Sequence, residues 1–154
     1  MTDTNAFRPT ILVVEMNEKA RRLFYRTFQQ AGYNVLLASS GEAAIKLYRG
    51  VQSRVVVVLL SAHRPGLNGR RLLAALQEIN PTLRCVIATE VTPDDEVLPL
   101  VRQGAAGLLV KPLNLNEALA VVSRVMEGDW ITPVRRTTRR RSARTRSRST
   151  SLSK

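Results

Sequence analysis

Glu15, Ser61, Thr89 and Lys111 each close a short apolar run: Ile11–Val14, Val55–Leu60, Val86–Ala88 and Leu108–Val110. Read as buried parallel strands, these runs carry their last residues to one sheet edge, where open α/β folds place their sites. A carboxylate, two hydroxyls and an ammonium would then meet in one crevice. Glu15 and Lys111 can close it as a structural ion pair. Ser61 with nearby His63 has the types of a nucleophile and a base, but no G-x-S-x-G elbow accompanies them. His63 reads better as a loop residue, and a recessed Ser61 is a poor kinase target. No G-x-G-x-x-G motif or phosphate-cradling loop follows the first run, which argues against a nucleotide or flavin. No catalytic residue, metal ligand set or small-molecule substrate is expected, and the chain does not read as an enzyme.

The elements that would position these groups alternate along the chain. After Ile11–Val14, the residues Ala20, Leu23, Phe24, Thr27, Phe28 and Ala31 recur at helical spacing, and Gly32 supplies a stop. Asn34–Ala38 is a second strand. Ser39 with Glu42 has capping-box spacing and opens a helix presenting Ala43, Ala44, Leu47 and Tyr48. Val55–Leu60 is apolar throughout, as a strand covered on both faces must be. Asn68 is placed to cap a helix with Leu72, Leu73, Leu76 and Ile79, stopped by Pro81. Cys85–Ala88 follows. Thr92 caps the next helix, with Pro93 first and Asp94 and Asp95 facing its dipole. Pro99 interrupts that helix, so it should be short, kinked or loosely held. Gly104 and Gly107 lead into Leu108–Val110. Asn114 with Glu117 opens a last helix through Met126. Five strand–helix units predict a three-layer α/β domain with right-handed crossovers.

Of 154 residues, 24 are basic and 12 acidic, and the imbalance is local. Ile131–Lys154 holds nine basic residues and no acid; the preceding 130 residues hold fifteen basic and twelve acidic groups. The organisation expected is a flexible N-terminus (1–8), a domain (9–129) and a basic tail rich in Arg, Ser and Thr (130–154). The tail has no apolar periodicity and cannot bury enough surface to offset its ordering entropy, so it should be disordered alone. Arg135, Arg136, Arg139, Arg140, Arg141, Arg144, Arg146 and Arg148 form a candidate polyanion-binding arm. Without an aromatic residue after Trp130, such an arm has no base-stacking group and should read charge, not sequence. A solvated tail that aids solubility is the plainer reading. An anionic membrane surface is less suited, since no amphipathic helix accompanies the run. Tail serines and threonines could be phosphorylated, cancelling charge. Cys85 is the only cysteine, so no internal disulfide can form. No apolar run is long enough to span a bilayer, and Met1–Thr10 lacks the order of a signal peptide. A cytoplasmic protein is expected.

Taken in order, the anchors resemble one family. They are ILVVE at 11–15; Gly32-Tyr33; Gly41-Glu42-Ala43; an apolar strand followed by SAHRPG at 61–66; Gly69; VIATE at 86–90; Gly104-Ala105; and LLVKP at 108–112. They are similar to the receiver (CheY-like) domain of bacterial response regulators, over roughly Pro9 to Gly128. The resemblance implies a flavodoxin-like, five-stranded parallel sheet in the order 2-1-3-4-5. It also implies two-component, phosphorelay-type signalling, in which an aspartate ending the third strand takes a phosphoryl group from a phosphohistidine. Acids after the first strand hold Mg²⁺, while a Thr or Ser and a Lys bind the phosphoryl oxygens. Glu15, Thr89 and Lys111 match the first acid, the hydroxyl and the lysine. Lys111-Pro112 is expected to be cis, as the family's Lys-Pro bond typically is.

Three positions depart from that pattern. Ser61 stands at the phospho-acceptor position, Met16 at the second acid and Leu108 at the aromatic switch. The family's crevice carries three carboxylates and one lysine; this one offers Glu15 and Lys111 and is neutral. A thioether is a poor ligand for Mg²⁺, and an alcohol without a base is a poor nucleophile. The resemblance with these departures implies a degenerate pseudo-receiver: no cofactor, weak or absent Mg²⁺ binding, and one resting conformation read by a signalling protein partner. The alternative is a non-specific nucleic-acid-associated protein that uses the receiver fold as an interaction platform.

Overall fold

Strand and helix alternate five times, in the order β1 (Thr10–Val14), α1 (Glu18–Gln30), β2 (Asn34–Ala38), α2 (Gly41–Val51), β3 (Val55–Ala62), α3 (Gly66–Ile79), β4 (Cys85–Thr89), α4 (Asp94–Gln103), β5 (Gly107–Val110) and α5 (Leu115–Met126). The structure, a computed structural model, describes residues 8–62, 66–89 and 94–128. All four strand pairings are parallel and the sheet order is β2-β1-β3-β4-β5, as the resemblance implied.

Strand alternation divides the core in two. Ile11, Val13, Val57, Leu59, Val86, Ala88 and Leu109 face α1 and α5, meeting Phe24, Phe28, Ala118, Val122 and Val125. Leu12, Val14, Val58, Leu60, Cys85, Ile87 and Leu108 face α2, α3 and α4, meeting Ala44, Tyr48, Leu73, Leu76 and Leu100. A period of two on strands and 3.6 on helices produces this division. It also explains why the central strands read as continuous apolar runs. Each large side chain so buried contributes about 1.5–3 kcal/mol of transfer free energy.

Local chemistry sets the ends of the elements. Asn17 caps α1, its side chain accepting from the Ala20 amide at 2.8 Å. Gly32, at a φ of 103°, turns the chain away from α1 in a conformation few other residues adopt without strain. Asn114 caps α5 through the Glu117 amide, as its spacing predicted.

Four details differ from the sequence reading. Ser40, not Ser39, caps α2, because its hydroxyl accepts from the Ala43 amide. α3 already begins at Gly66, so Asn68 lies inside its first turn; a helix can start directly after a proline, since early helical amides need no partner in the preceding chain. Leu23 is 48% exposed, on the solvent side of the stripe that buries Phe24 and Phe28. β3 runs two residues past Leu60, so Ser61 is paired within the sheet and does not lie in the loop after it. His63, Thr92, Pro93 and the arginines from 135 to 148 lie outside the described residues.

Candidate functional site

Parallel register decides which strand ends become neighbours. Val14 pairs with Leu60, which sets Glu15 beside Ser61 on the adjoining strand. Ser61 pairs with Ala88, and Thr89 pairs with both Ala62 and Val110. The Glu15 amide still donates to Ala38 O at 3.0 Å, and the Lys111 amide to Thr89 O at 2.8 Å. Both residues therefore leave the sheet edge from a hydrogen-bonded backbone. Glu15, Ser61 and Lys111 each follow, by two residues, a side chain that faces α1 and α5, and this shared parity lets three distant positions meet.

Glu15 is the centre of the cluster. It is buried, at 4% exposure, as are Ser61 and Thr89. Ser61 Oγ donates to Glu15 Oε1 at 2.5 Å, a length typical of a hydroxyl donating to an ionised carboxylate. Lys111 Nζ stands 3.7 Å from the same oxygen. The other oxygen, Oε2, accepts from the Asn17 amide at 2.9 Å. At the Lys111 separation the gross attraction is about 4 kcal/mol at an effective dielectric near 20, much of it offset by desolvation of the two ions. The short Ser61 bond and the Asn17 amide are therefore what fix the carboxylate, and Lys111 balances its charge. Arg21 closes the near side, donating to Glu15 O at 2.9 Å and Met16 O at 3.2 Å.

Not every predicted residue enters this cluster. The Met16 side chain is 71% exposed, beside the carboxylate in sequence but open to solvent. Leu108 is buried in the core between the sheet and the α2–α4 layer, one layer below the crevice. The Lys111-Pro112 bond is cis, as expected. Asn17 and Arg21 were not anticipated. An asparagine just before an acidic helical turn is a cap signal in its own right, so Asn17 was readable; nothing in the spacing of Arg21 distinguishes it from other surface arginines. Among the described residues, no three His, Cys, Asp or Glu side chains group so as to hold a metal ion. No helix of the described residues is long and apolar enough to cross a membrane.

Residues 11–123 match the family model described as the response regulator receiver domain. The chain belongs to that family. This receiver domain is 30% identical over 120 residues to the DNA-binding transcriptional regulator NtrC of Escherichia coli, an alignment covering 77% of this chain and 25% of that protein. It is 29% identical over 107 residues to a cyclic di-GMP phosphodiesterase of Thermotoga maritima, covering 70% of this chain and 28% of the relative. The chain thus spans little more than a quarter of either curated relative. Among solved structures, the non-phosphorylated HemR receiver domain of Leptospira biflexa superposes with a TM-score of 0.70 at 28% identity, covering 77% of this chain and 94% of that one. Response regulator receiver domains are modules of two-component signalling, and this chain carries one.

Proposed function

We propose that this receiver domain acts by binding a protein partner without itself taking a phosphoryl group. The observation that carries the reading is the bond from Ser61 Oγ to Glu15 Oε1. The one proton Ser61 can offer is already given to the carboxylate of Glu15. To become a nucleophile the hydroxyl would have to surrender that proton to a carboxylate, which is far too weak a base to take it. The donor set does not fit Mg²⁺ either. Both oxygens of Glu15 already accept hydrogen bonds, its charge is balanced by Lys111, and its chain neighbour Met16 supplies a soft thioether. A cation would have to displace an ammonium and a hydroxyl from one carboxylate. Leu108 adds to the reading, since a buried aliphatic side chain has no polar tip to report a change at the crevice.

The test is incubation with a small acyl-phosphate donor, or with a phosphorylated histidine kinase, in Mg²⁺. The intact mass should not change. A stoichiometric phosphoryl adduct mapped to Ser61 would overturn the proposal.

The composition of the last residues favours a second role beside the first. Eight arginines lie between 135 and 148 with no acid among them. We infer that this run holds the protein on nucleic acid by charge. If about six arginines meet phosphates of a DNA duplex, log K should fall with log salt at a slope near −5, at roughly −0.9 per contact. Affinity should differ little between unrelated sequences. A chain ending before Ile131 should lose nearly all binding; equal binding by the two chains would remove the run from the mechanism.

A further inference from the structure

We propose that the domain carries a second polyanion-binding surface, at the end of the sheet opposite the Glu15 crevice. There Arg49, Arg54, Arg102 and Arg124 face the phosphates of the same duplex that the 135–148 run engages. The inference deepens the nucleic-acid reading above and rests on it.

The parallel topology assembles this surface. Every crossover helix runs antiparallel to the strands, so helix C-termini and strand N-termini gather at one end. Arg49, Arg102 and Arg124 lie in the last turns of α2, α4 and α5. Arg8 precedes β1, Arg54 immediately precedes β3 and Arg84 immediately precedes β4. Among the described residues, the acids at this end are Glu78, near the end of α3, and Glu127, the C-cap of α5. Residues 8–128 hold fifteen basic and ten acidic side chains, an excess of five. Six basic and two acidic residues at this end account for four of that five. The domain's charge is concentrated at one pole.

A plainer account is that these arginines complement helix dipoles, each stabilising a C-terminus by about 0.3–1 kcal/mol. Arg49, Arg102 and Arg124, in last turns, gain from it while remaining exposed, but only Arg8 and Arg84 are bonded to helix-end carbonyls. Arg8 Nε donates to Gly32 O at 3.2 Å, at the end of α1, and Arg84 Nη1 donates to Met126 O and Val125 O, at the end of α5. Arg54 is in no helix. It borders a hollow of about 310 Å³ with Thr10, Asn34 and Val51. Arg49, Arg54, Arg102 and Arg124 are all exposed, and none forms an ion pair among the described residues. Their guanidinium groups are permanently charged and shaped for two-pronged contact with phosphate.

Arg54 stands at the head of β3, the middle strand, with Arg49 and Arg102 in helices on one face of the sheet and Arg124 in α5 on the other. The four charges thus surround the centre of the pole, and duplex DNA carries one phosphate charge per about 1.7 Å of axis. The chain leaves α5 at this same pole, and past Asp129 it holds nine basic residues and no acid. Once the arginine run is on a duplex, the pole is presented to it at high effective concentration. A surface too weakly charged to bind alone would then add contacts.

The experiment uses the full chain and a random-sequence DNA duplex, with affinity measured across salt concentration. Arg49→Gln, Arg54→Gln, Arg102→Gln and Arg124→Gln are combined in one variant; Arg8 and Arg84 are left to hold their helix ends. The control replaces four exposed basic residues in the N-terminal halves of α1 and α3: Lys19→Gln, Arg22→Gln, Arg70→Gln and Arg71→Gln. The pole variant should lose about 2 to 4 from the magnitude of the salt slope, at roughly 0.9 per arginine engaged, while the control loses less than about 1. Circular dichroism with matching thermal midpoints establishes that both variants are folded. An unchanged slope in the pole variant, with binding still abolished by ending the chain before Ile131, overturns the inference and leaves the arginine run in place. Equal losses in both variants also overturn it, because net charge alone would then be at work. No binding by the intact chain overturns both readings.

Discussion

Replacing Ser61 by aspartate would set a second carboxylate about one hydrogen-bond length from Glu15 Oε1. Two such charges in a buried site repel, and Lys111, at 3.7 Å, can balance only one of them. Ser61→Asp should therefore destabilise the domain by about 2–3 kcal/mol, or about 5–10 °C in Tm for a chain of this size. Millimolar Mg²⁺ should return much of that loss, since the new pair recreates a hard-oxygen site. The parent Tm should be indifferent to Mg²⁺. A parent stabilised by Mg²⁺ as strongly as the variant would show that the native crevice already holds a cation, against the neutral-crevice reading. Asn17 and Arg21 matter at the same scale. One supplies an amide to Glu15 Oε2, the other two bonds to the backbone around it, so Glu15 is held by both its side chain and its main chain.

At the scale of elements, α4 is the shortest of the five helices and carries Pro99 in its interior. The proline deletes the amide that would bond to the Asp95 carbonyl. An interior proline costs about 3 kcal/mol, of which about 0.4–1 returns through its stiffening of the unfolded chain. Leu100, fully buried beside it, holds the helix on the core. Pro99→Ala should accordingly raise the free energy of unfolding by about 2 kcal/mol, seen as a higher urea midpoint at unchanged m-value. No gain would mean that α4 draws its stability from elsewhere in a way that tolerates the lost bond. The last turn of α4 is tied from outside: Gln77 Nε2 donates to Gln103 O at 2.8 Å. Gly104 has a φ of 117°, which strains any other residue, and a Cβ there would lie 2.9 Å from Gln77 Nε2 and push that side chain off its bond to Gln103 O.

For the molecule as a whole, burial makes the fold sensitive to alkali. The Cys85 thiol, sealed between the sheet and the α2–α4 layer, is pushed up to about 12 from an ordinary 9.0. Burial also raises the phenols of Tyr33 and Tyr48. The sign follows from proton counting. Between about pH 9 and 12 the unfolded chain has released the thiol proton while the folded chain keeps it. Stability is thus flat below about pH 9 and falls above it, by at most about 1.4 kcal/mol per pH unit from Cys85 alone. Urea unfolding at pH 8 and pH 10.5 should differ by roughly 2 kcal/mol from this thiol, and Cys85→Ala should remove that part of the loss. Equal stability at the two pH values would contradict the burial of the thiol. The same whole-molecule view separates two ends of the sheet, the Glu15–Lys111 pair at one and the cluster of exposed arginines at the other.

The sequence alone determined the alternation of five strands and five helices, because apolar runs and helical stripes are local patterns with different periods. It also named the strand-end groups Glu15, Ser61 and Lys111, and in the Asn114–Glu117 spacing it marked a cap that the structure has. Only the tertiary structure decided who touches whom. Ser61 meets Glu15 because Val14 pairs with Leu60, a register no local pattern specifies. Met16 and Leu108 lie within three residues of site residues, as Asn17 does, yet one faces solvent and the other the core, since strand alternation and packing assign the faces. The gathering of Arg49, Arg54, Arg102 and Arg124 was equally invisible in a chain where they are scattered over 76 positions from 49 to 124. Parallel topology, which returns every helix C-terminus to one edge, is what brings them together.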